Sequence, residues 1–345
     1  MIAGIGDLKT PAWALELADS IHDPVELLSL LHLPPIEAIL DDRFPLRVPR
    51  SYAKRMRPGN PRDPLFLQVW PDTRECAKVA GYTADPVGDR IASSAPGVLQ
   101  KYAGRALLTI TGACAVHCRY CFRRHFPYGE ENPLGRHWGK TLQYLRDADD
   151  LREVILSGGD PLMLPDDRLA AIVRDLEQLP GLKRLRIHTR LPVVLPARVD
   201  PALCAWIADT RLKVTVVLHV NHPQEIDSEI SRACHALADA GAVLLNQSVL
   251  LRGVNDSASV LERLSEVLFA AGVLPYYLHL LDKVSGAAHF DLAGSKARRI
   301  YSELTARLPG YLVPRLVREH AGAASKTLIV PPPSRGSSVG LSDFA

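Results

Sequence analysis

The sequence predicts an α/β protein: a partial (β/α)6 TIM-like barrel preceded by a mostly helical region. Short β-rich segments alternate with helical patterns from about residue 105 onward, and six such strand–helix units follow one another. Strands in series with intervening helices form parallel sheets with right-handed crossovers. An open sheet remains an alternative, but a length of about 200 residues for the six units suits a partial barrel slightly better.

Composition excludes several classes of protein. The chain has 345 residues, 47% of them hydrophobic and 23% charged, which is typical of a globular protein with a large core. Its 41 basic and 38 acidic residues leave a net charge of only +3, which argues against a general nucleic-acid-coating protein. We find neither an apolar run long enough to span a membrane nor a secretory signal, so we expect a cytoplasmic protein.

Residues 1–100 are predicted to be mostly helical and interrupted by proline. Asp23 precedes Pro24 and Glu26, an order typical of a helix N-cap, a first-turn proline and a capping-box acid. The paired Pro34 and Pro35 then end this helix.

Six strands are predicted after this region, with helices between them. A helix is predicted over 166–179, where apolar residues recur at helical spacing. We divide the chain into residues 1–100, a barrel core over 101–320, and a C-terminal segment over 321–345 whose residues 331–340 form a flexible tail. The predicted strands are 106–111, 153–157, 184–189, 213–220, 242–251 and 274–281.

Three of the six cysteines form a compact motif directly after the first predicted strand. Cys114, Cys118 and Cys121 have the spacing C-x3-C-x2-C, which lets three thiolates converge on one soft metal centre. A structural zinc site would need a fourth ligand, which His117 or His125 could supply. An iron–sulfur cluster of four irons held by three thiolates instead leaves one iron open for an external ligand. The other cysteines, Cys76, Cys204 and Cys234, are predicted to be small buried hydrophobes.

The segment CAVHCRYC resembles the signature of the radical S-adenosylmethionine (SAM) superfamily. The resemblance implies a [4Fe–4S] cluster on Cys114, Cys118 and Cys121, with SAM chelated by the open iron. It also implies that Tyr120 and the segment Ser157-Gly158-Gly159-Asp160 contact SAM. Glycine permits such a close approach of backbone to ligand.

From about 101 to 326 the chain resembles the lysine 2,3-aminomutases. The matching segments are CRYCFRRHF, LSGGDPL, HVNHPQEI, NQSVLLRGVND and YYLHLLD. In that family pyridoxal phosphate (PLP) binds covalently to a lysine, and the matching residue here is Lys326, seven positions after the acidic Glu319. Lys101, Tyr102 and Arg105 match the positions around the PLP phosphate. His219, Gln247 and Asn246 match positions near SAM and PLP, although a core hydrogen-bonding role is an almost equal alternative.

The same resemblance implies how a lysine substrate is bound. Arg123 matches the residue that binds the substrate carboxylate, with Arg124 as the competing candidate. Asp282 and Glu319 match the two acids that bind the side-chain ammonium in that family. A buried ammonium needs such anionic partners. Glu319 departs from the family's usual aspartate by one methylene group. Two carboxylates around one ammonium would exclude a glutamate substrate.

The chain differs from the catabolic aminomutases at their zinc site. Ser257 stands where those enzymes carry a cysteine, and no cysteine follows Cys234, so we expect no zinc. Short mutases of this kind resemble the branch associated with elongation factor P. Its members convert (S)-α-lysine to (R)-β-lysine, and a partner ligase attaches the product to elongation factor P.

Two alternatives to this function remain open. One is a catabolic or osmolyte-forming lysine 2,3-aminomutase, and the other is a zinc-binding interaction module. We expect no membrane and no direct nucleic-acid partner. The oligomeric state is left open, and a homo-oligomer is compatible with the sequence.

Overall fold

A computed structural model describes residues 10–129 and 133–330. Within them lies one sheet of ten strands, whose order in space is the order in the chain. The strands are β1 (Ser93–Ala95), β2 (Val98–Leu99), β3 (Arg105–Thr111), β4 (Glu153–Gly158), β5 (Arg184–Thr189), β6 (Lys213–His219), β7 (Val243–Leu250), β8 (Leu274–Leu280), β9 (Arg315–Arg318) and β10 (Thr327–Leu328).

Neighbouring strands from β3 to β9 pair in parallel, whereas the pairs at each end of the sheet are antiparallel. Helices connect the parallel strands, and the helix predicted over 166–179 is found at Asp166–Glu177. The helices are α1 (Ala12–Ala18), α2 (Pro24–Leu30), α3 (Arg50–Ala53), α4 (Pro64–Leu67), α5 (Trp138–Arg146), α6 (Asp166–Glu177), α7 (Leu191–Val194), α8 (Pro201–Asp209), α9 (Ser228–Asp239), α10 (Ala258–Ala270) and α11 (Gly294–Arg307).

The predicted α/β class is confirmed, and the six predicted strands correspond to β3–β8 with small differences at their ends. The structure adds two features that the sequence did not reveal. Strand β9 extends the parallel sheet, although residues 315–318 (RLVR) are too short and too charged to show a clear β pattern. The hairpin of β1 and β2 pairs with β3, so the sheet begins within the region predicted to be helical.

The helix predicted after Asp23 is found at Pro24–Leu30, but the helices before β1 are short, and most of residues 10–92 lies outside them. The Asp23 side chain caps α2 by accepting a hydrogen bond from the Val25 amide. Glu26, in contrast, forms an ion pair with Arg50. One hydrophobic cluster contains both Trp13 of α1 and Val214 of β6, so the N-terminal helices share the core of the barrel. The predicted tail at 331–340 lies outside the described residues.

The sheet curls around a polar interior. Lys101, just before β3, contacts Glu319, just after β9, so the ends of the parallel sheet approach each other. Along β5 and β7 buried residues alternate with partly exposed ones, and the partly exposed set includes His188 and Gln247. This alternation gives one face to the helices and the other to the interior. In the described parts of the chain, no helix is both long and apolar enough to cross a membrane.

Candidate active site

The three motif cysteines lie in the loop that follows β3. Burial raises the pKa of the Cys114 thiol, and Cys121 and Cys118 raise it further. Burial and the neighbouring Cys118 raise the pKa of Cys121 to about 11. The three sulfurs are therefore close enough to influence one another. Buried thiols that resist ionisation in isolation become thiolates when a metal centre compensates their charge.

His117 and His125 are the candidate fourth ligands of a single-ion site beside these cysteines. Among residues 10–129 and 133–330, no three His, Cys, Asp or Glu side chains are grouped so as to hold one metal ion. His117 Nδ1 donates to the Pro45 carbonyl at 2.9 Å, and His125 Nε2 donates to the Ser285 carbonyl at 3.2 Å. Each candidate fourth zinc ligand therefore uses one ring nitrogen in a backbone contact.

The glycine segment at the end of β4 packs against the cysteine loop. A Cβ atom on Gly158 would lie 2.3 Å from the Thr111 carbonyl oxygen, and one on Gly159 would lie 2.3 Å from that of Ala113. Gly158 also has a φ of +123°, which L side chains rarely adopt. The Gly159 amide donates to Thr111 O at 2.7 Å. The contact that requires glycine here is thus with the loop that carries Cys114.

Asp160 organises the backbone beside this segment. Its carboxylate accepts hydrogen bonds from Thr189 Oγ1 at 2.7 Å and from the backbone amides of Leu162, Arg190 and Leu191 at 3.1, 2.7 and 2.9 Å. Asp160 therefore joins the end of β4 to the end of β5. Asn246 likewise bonds the backbone of Val220, in agreement with the core role considered for it.

Tyr120 belongs to a buried polar network centred on Arg190. Arg190 Nη1 lies 2.7 Å from Cys118 Sγ and 2.7 Å from the Tyr120 hydroxyl oxygen. Its Nη2 donates to Glu225 Oε2 at 2.8 Å and to Gln68 Oε1 at 2.8 Å. The network therefore connects a cysteine of the motif to the N-terminal region through Gln68.

His219 lies at the edge of the same network, and Gln247 is its register partner on β7. The His219 ring stacks on Tyr120 with 5.7 Å between centroids. Burial, followed by the charge of Arg190, lowers the pKa of His219 to about 3, so the imidazole is neutral. The Gln247 amide makes no hydrogen bond to any described residue and is free to contact a ligand.

The structure distinguishes Arg123 from Arg124. Arg123 Nε donates to Asp89 Oδ2 at 2.6 Å, and its Nη1 donates to Ser157 Oγ at 3.1 Å. Arg124 instead pairs with Glu75 at 2.7 Å. Because Ser157 is on the inner face of β4, Arg123 is the arginine that reaches the interior.

A chain of alternating charges connects the predicted PLP and substrate positions. Lys101 Nζ lies 2.6 Å from Asp89 Oδ1 and 2.8 Å from Glu319 Oε1. Lys326 Nζ donates to the other oxygen of Glu319. Burial alone would raise the pKa of Glu319, but Lys326 and Lys101 lower it to about 2. The structure thus brings Lys101, Lys326, Glu319 and Arg123 together and adds Asp89.

Tyr102 and Arg105 stack on each other beside this chain. The Arg105 guanidinium lies 5.2 Å from the centre of the Tyr102 ring. Burial and the Glu319 charge raise the pKa of Tyr102 to about 12, which places its hydroxyl within the electrostatic field of Glu319. Tyr102 directly follows Lys101 in the chain, so this pair can contribute to an anion site beside it.

Asp282 has a charged environment but no partner. Its side chain makes no hydrogen bond or ion pair with any described residue. Burial and the neighbouring Glu319 raise its pKa to about 7. An unpaired carboxylate with a raised pKa gains from an incoming cation, because that cation supplies the missing charge.

Comparison with known proteins identifies the family. The model of the radical SAM superfamily matches residues 108–259. The chain is 49% identical to the L-lysine 2,3-aminomutase of Escherichia coli (strain K12) over 334 residues, which cover 94% of this chain and 97% of that protein. This chain belongs to the radical SAM lysine 2,3-aminomutase family.

Two other members of the family show how similarity varies with the length of the relative. It is 48% identical to the L-lysine 2,3-aminomutase of Haemophilus influenzae (strain ATCC 51907 / DSM 11121 / KW20 / Rd), with 92% of this chain and 95% of that protein covered. It is 39% identical to the L-lysine 2,3-aminomutase of Clostridium subterminale, with 81% of this chain and 67% of that protein covered. Relatives of similar length are therefore the more similar ones among these.

Membership in the lysine 2,3-aminomutase family confirms the resemblance seen in the sequence, and with it the prediction of an enzyme of the isomerase class. The alternative of a zinc-binding interaction module is wrong, because the family is enzymatic.

Several residues of the site were not found from the sequence. Asp89, Gln68, Arg190 and Glu225 come from distant segments, and only the curled sheet brings them beside the predicted residues. The sequence offered one signal for Arg190: it is a charged residue directly after the predicted strand at 184–189, where side chains of a functional site are expected.

Proposed function

We propose that this protein converts (S)-α-lysine to (R)-β-lysine by a radical SAM and PLP mechanism. The unpaired carboxylate of Asp282 is the observation that carries the proposal. Its charge interacts with that of Glu319, the second acid proposed for the substrate ammonium, whose two oxygens contact Lys101 and Lys326 in this structure. Arg123 offers the complementary charge for the α-carboxylate. This pattern matches a molecule that carries one carboxylate and a distant ammonium.

The residues present fit a [4Fe–4S] cluster with an open iron. Cys114, Cys118 and Cys121 would hold three irons, and Arg190 would donate to the Cys118 sulfur. Tyr120, His219, Gln247 and Ser157-Gly158-Gly159-Asp160 would surround SAM. Gly158 and Gly159 would act mainly by holding the cysteine loop, and Asp160 by orienting Arg190. His219, neutral near pH 7, would offer a nitrogen lone pair or an N–H without adding charge.

The residues also fit PLP. Lys101, Tyr102 and Arg105 supply positive charge and a hydroxyl for its phosphate. Lys326 supplies the amine, and its Nζ donates a hydrogen bond to Glu319. When bound, the cluster and SAM supply a carbon radical, and PLP supplies a π-system for migration of the amino group.

The protein's own contribution is orientation and exclusion of water. Arg123 and the acid pair Asp282 and Glu319 would hold both ends of lysine, which fixes the carbon between them. Fixing the reacting atoms in this way is a large part of enzymatic rate enhancement. The buried network around Arg190 closes the interior beside the cysteine loop against solvent, and a dry interior protects a radical from side reactions.

The product would be used to modify elongation factor P, through a partner ligase. This part of the proposal is supported by the resemblance of the sequence to the branch associated with elongation factor P, in particular by Ser257 at the position where the catabolic enzymes carry a zinc-site cysteine. The alternative is that the same reaction serves lysine catabolism or the formation of an osmolyte. Deleting the gene in its host should remove the β-lysyl mass increment from elongation factor P, and added β-lysine should restore it. An unchanged mass of elongation factor P would contradict this use.

The activity itself is tested by anaerobic reconstitution. Iron- and sulfide-loaded protein is supplied with SAM, PLP, a reductant and L-lysine, and products are separated by chiral chromatography. We expect (R)-β-lysine, with SAM required but not consumed in proportion to product. Absence of β-lysine from protein with a full complement of iron and PLP would contradict the proposal.

A further inference from the structure

We propose that Asp89 is a positioning residue that orients Arg123 toward the substrate carboxylate while it holds Lys101 separately for the phosphate. The inference rests on the proposed function and extends it to a residue in the loop before β1. Asp89 would not touch the substrate. It would act by assigning two neighbouring cations to two different anions.

Asp89 is almost completely buried and binds both cations at once. Its side chain Oδ2 accepts a hydrogen bond from Arg123 Nε at 2.6 Å, and its Oδ1 lies 2.6 Å from Lys101 Nζ. The residue is 2% exposed. Each carboxylate oxygen therefore serves one cation, and no solvent is present to replace either contact.

The loop that carries Asp89 is itself fixed. Its amide donates to Asp85 Oδ1 at 2.9 Å, and the Arg90 amide donates to Asp85 Oδ2 at 3.1 Å. Gly88 has a φ of +68°, and a Cβ on it would lie 3.0 Å from the Cβ of Ala321. The loop is thus packed against the C-terminal segment between Glu319 and Lys326, so the position of Asp89 is set from both sides.

These contacts leave one edge of the Arg123 guanidinium available. Nε is used by Asp89 and Nη1 donates one hydrogen to Ser157, while Nη2 makes no hydrogen bond to any described residue. The ring of Phe122, 4.9 Å from the guanidinium carbon, restricts the plane of the group. The remaining Nη1 and Nη2 hydrogens form the terminal fork that binds a carboxylate through two parallel hydrogen bonds.

An amide at position 89 could not perform this task. Asn has one acceptor oxygen, so Lys101 and Arg123 would compete for it. The charge of Glu319 also acts on Arg123 and would draw its guanidinium away from the substrate carboxylate. Loss of Asp89 should therefore weaken binding of the substrate carboxylate. If Asp89 served only to neutralise charge, its loss would instead strengthen that binding, because the interior would become more positive.

Two ligands measure whether loss of Asp89 weakens or strengthens carboxylate binding. Anaerobic protein loaded with cluster and PLP is titrated without reductant, so that no turnover occurs, and binding is followed by PLP absorbance. The ligands are L-lysine and 1,5-diaminopentane, which lacks the carboxylate. The ratio of their dissociation constants measures what the carboxylate contributes. Glu262→Gln, which breaks an exposed ion pair with Arg307 on the outer helices, is the matched control.

We expect wild type and Glu262→Gln to prefer lysine by the same ratio. In Asp89→Asn the preference should fall about 10-fold, the scale of one oriented charge-assisted contact. Asp85→Ala, which frees the loop but keeps Asp89, should reduce it by a smaller factor. Asp89→Glu, with both oxygens retained, should keep most of the preference.

The outcomes separate this inference from the function on which it rests. A wild-type protein that binds neither ligand, or shows no preference for lysine, contradicts the proposed function. A wild-type preference that is unchanged or increased in Asp89→Asn overturns the role of Asp89. If Asp89→Asn does not fold, an unchanged ratio in Asp85→Ala overturns it instead.

Discussion

The guanidinium of Arg190 contacts the sulfur of Cys118, with 2.7 Å between Nη1 and Sγ. Arg190 is buried, and its charge is balanced by Glu225. A positive donor at a cluster thiolate stabilises the more negative, reduced state, and hydrogen bonds to the sulfurs are among the factors that set cluster potentials. Arg190 thus links the fold around the cysteine loop to the electron-transfer properties of the proposed cluster.

Removing this donor should make the cluster harder to reduce. Arg190→Gln is combined with Glu225→Gln, because a buried carboxylate without its partner would destabilise the protein. We expect the midpoint potential to fall by about 50 mV, since ~1.4 kcal/mol of lost stabilisation corresponds to ~59 mV for one electron. Redox titration followed by electron paramagnetic resonance (EPR) measures the shift, and Arg190→Lys is the charge-retaining control. A potential equal to that of wild type, at equal iron content, would exclude this role.

Asp282→Asn should weaken lysine binding. The neutral amide cannot supply charge to the substrate ammonium, and the loss of one buried charge pair is expected to raise KM about 10- to 100-fold. Steady-state kinetics with L-lysine measure the change. Asp256→Asn, in an ion pair with Lys296 outside the site, is the control. An unchanged KM in Asp282→Asn would show that the ammonium is bound elsewhere.

The same carboxyl predicts a pH dependence. Its pKa is raised to about 7, so it is protonated below that pH and then cannot pair with an ammonium. The KM for lysine should therefore rise as the pH falls below about 7 and become constant above it. In Asp282→Asn this part of the profile should disappear, because Glu319, with a pKa of about 2, stays ionised throughout. A profile identical in both proteins would refute the assignment.

Gly159→Ala should prevent cluster assembly without unfolding the protein. The added Cβ would lie 2.3 Å from Ala113 O and 2.7 Å from the Gly112 carbonyl carbon, and both are backbone atoms that move only with the cysteine loop. We expect a loss of stability of roughly 1–3 kcal/mol and a large loss of bound iron. Iron and labile sulfide analysis with thermal unfolding tests this. Gly139→Ala, where a Cβ meets nothing within 4 Å, is the control and should load iron normally.

Lys326→Ala should abolish the covalent attachment of PLP and leave the cluster intact. Lys326 Nζ forms an ion pair with Glu319 and is not one of the cysteine ligands, so its removal should leave the cluster site in place. Loss of the PLP absorbance band after gel filtration, with unchanged iron content, is the expected result. Lys296→Ala is the surface control. Retention of the band in Lys326→Ala would show that another lysine binds PLP covalently.

Local patterns predicted part of this molecule and long-range contacts supplied the rest. The six alternating strand–helix units and the helix after Asp23 were predictable, because hydrophobic periodicity and capping are local properties. The local pattern did not separate Arg123 from Arg124, and only the family resemblance favoured Arg123; the structure adds that Arg123 pairs with Asp89 and Arg124 with Glu75. Asp89, Gln68 and Arg190 lie far apart in sequence, and only the curled sheet brings them to the site. Strand β9 depends on pairing with β8 rather than on its own composition.

The spectrum of the reduced cluster, recorded with and without SAM, tests the central claim most directly. If three thiolates leave one iron for SAM, anaerobically loaded and reduced protein should show a [4Fe–4S]⁺ EPR signal that changes when SAM is added. Substitution of Cys118 by alanine should abolish the signal. A signal that SAM leaves unchanged, or a protein that binds a single zinc ion and no iron, would contradict the account.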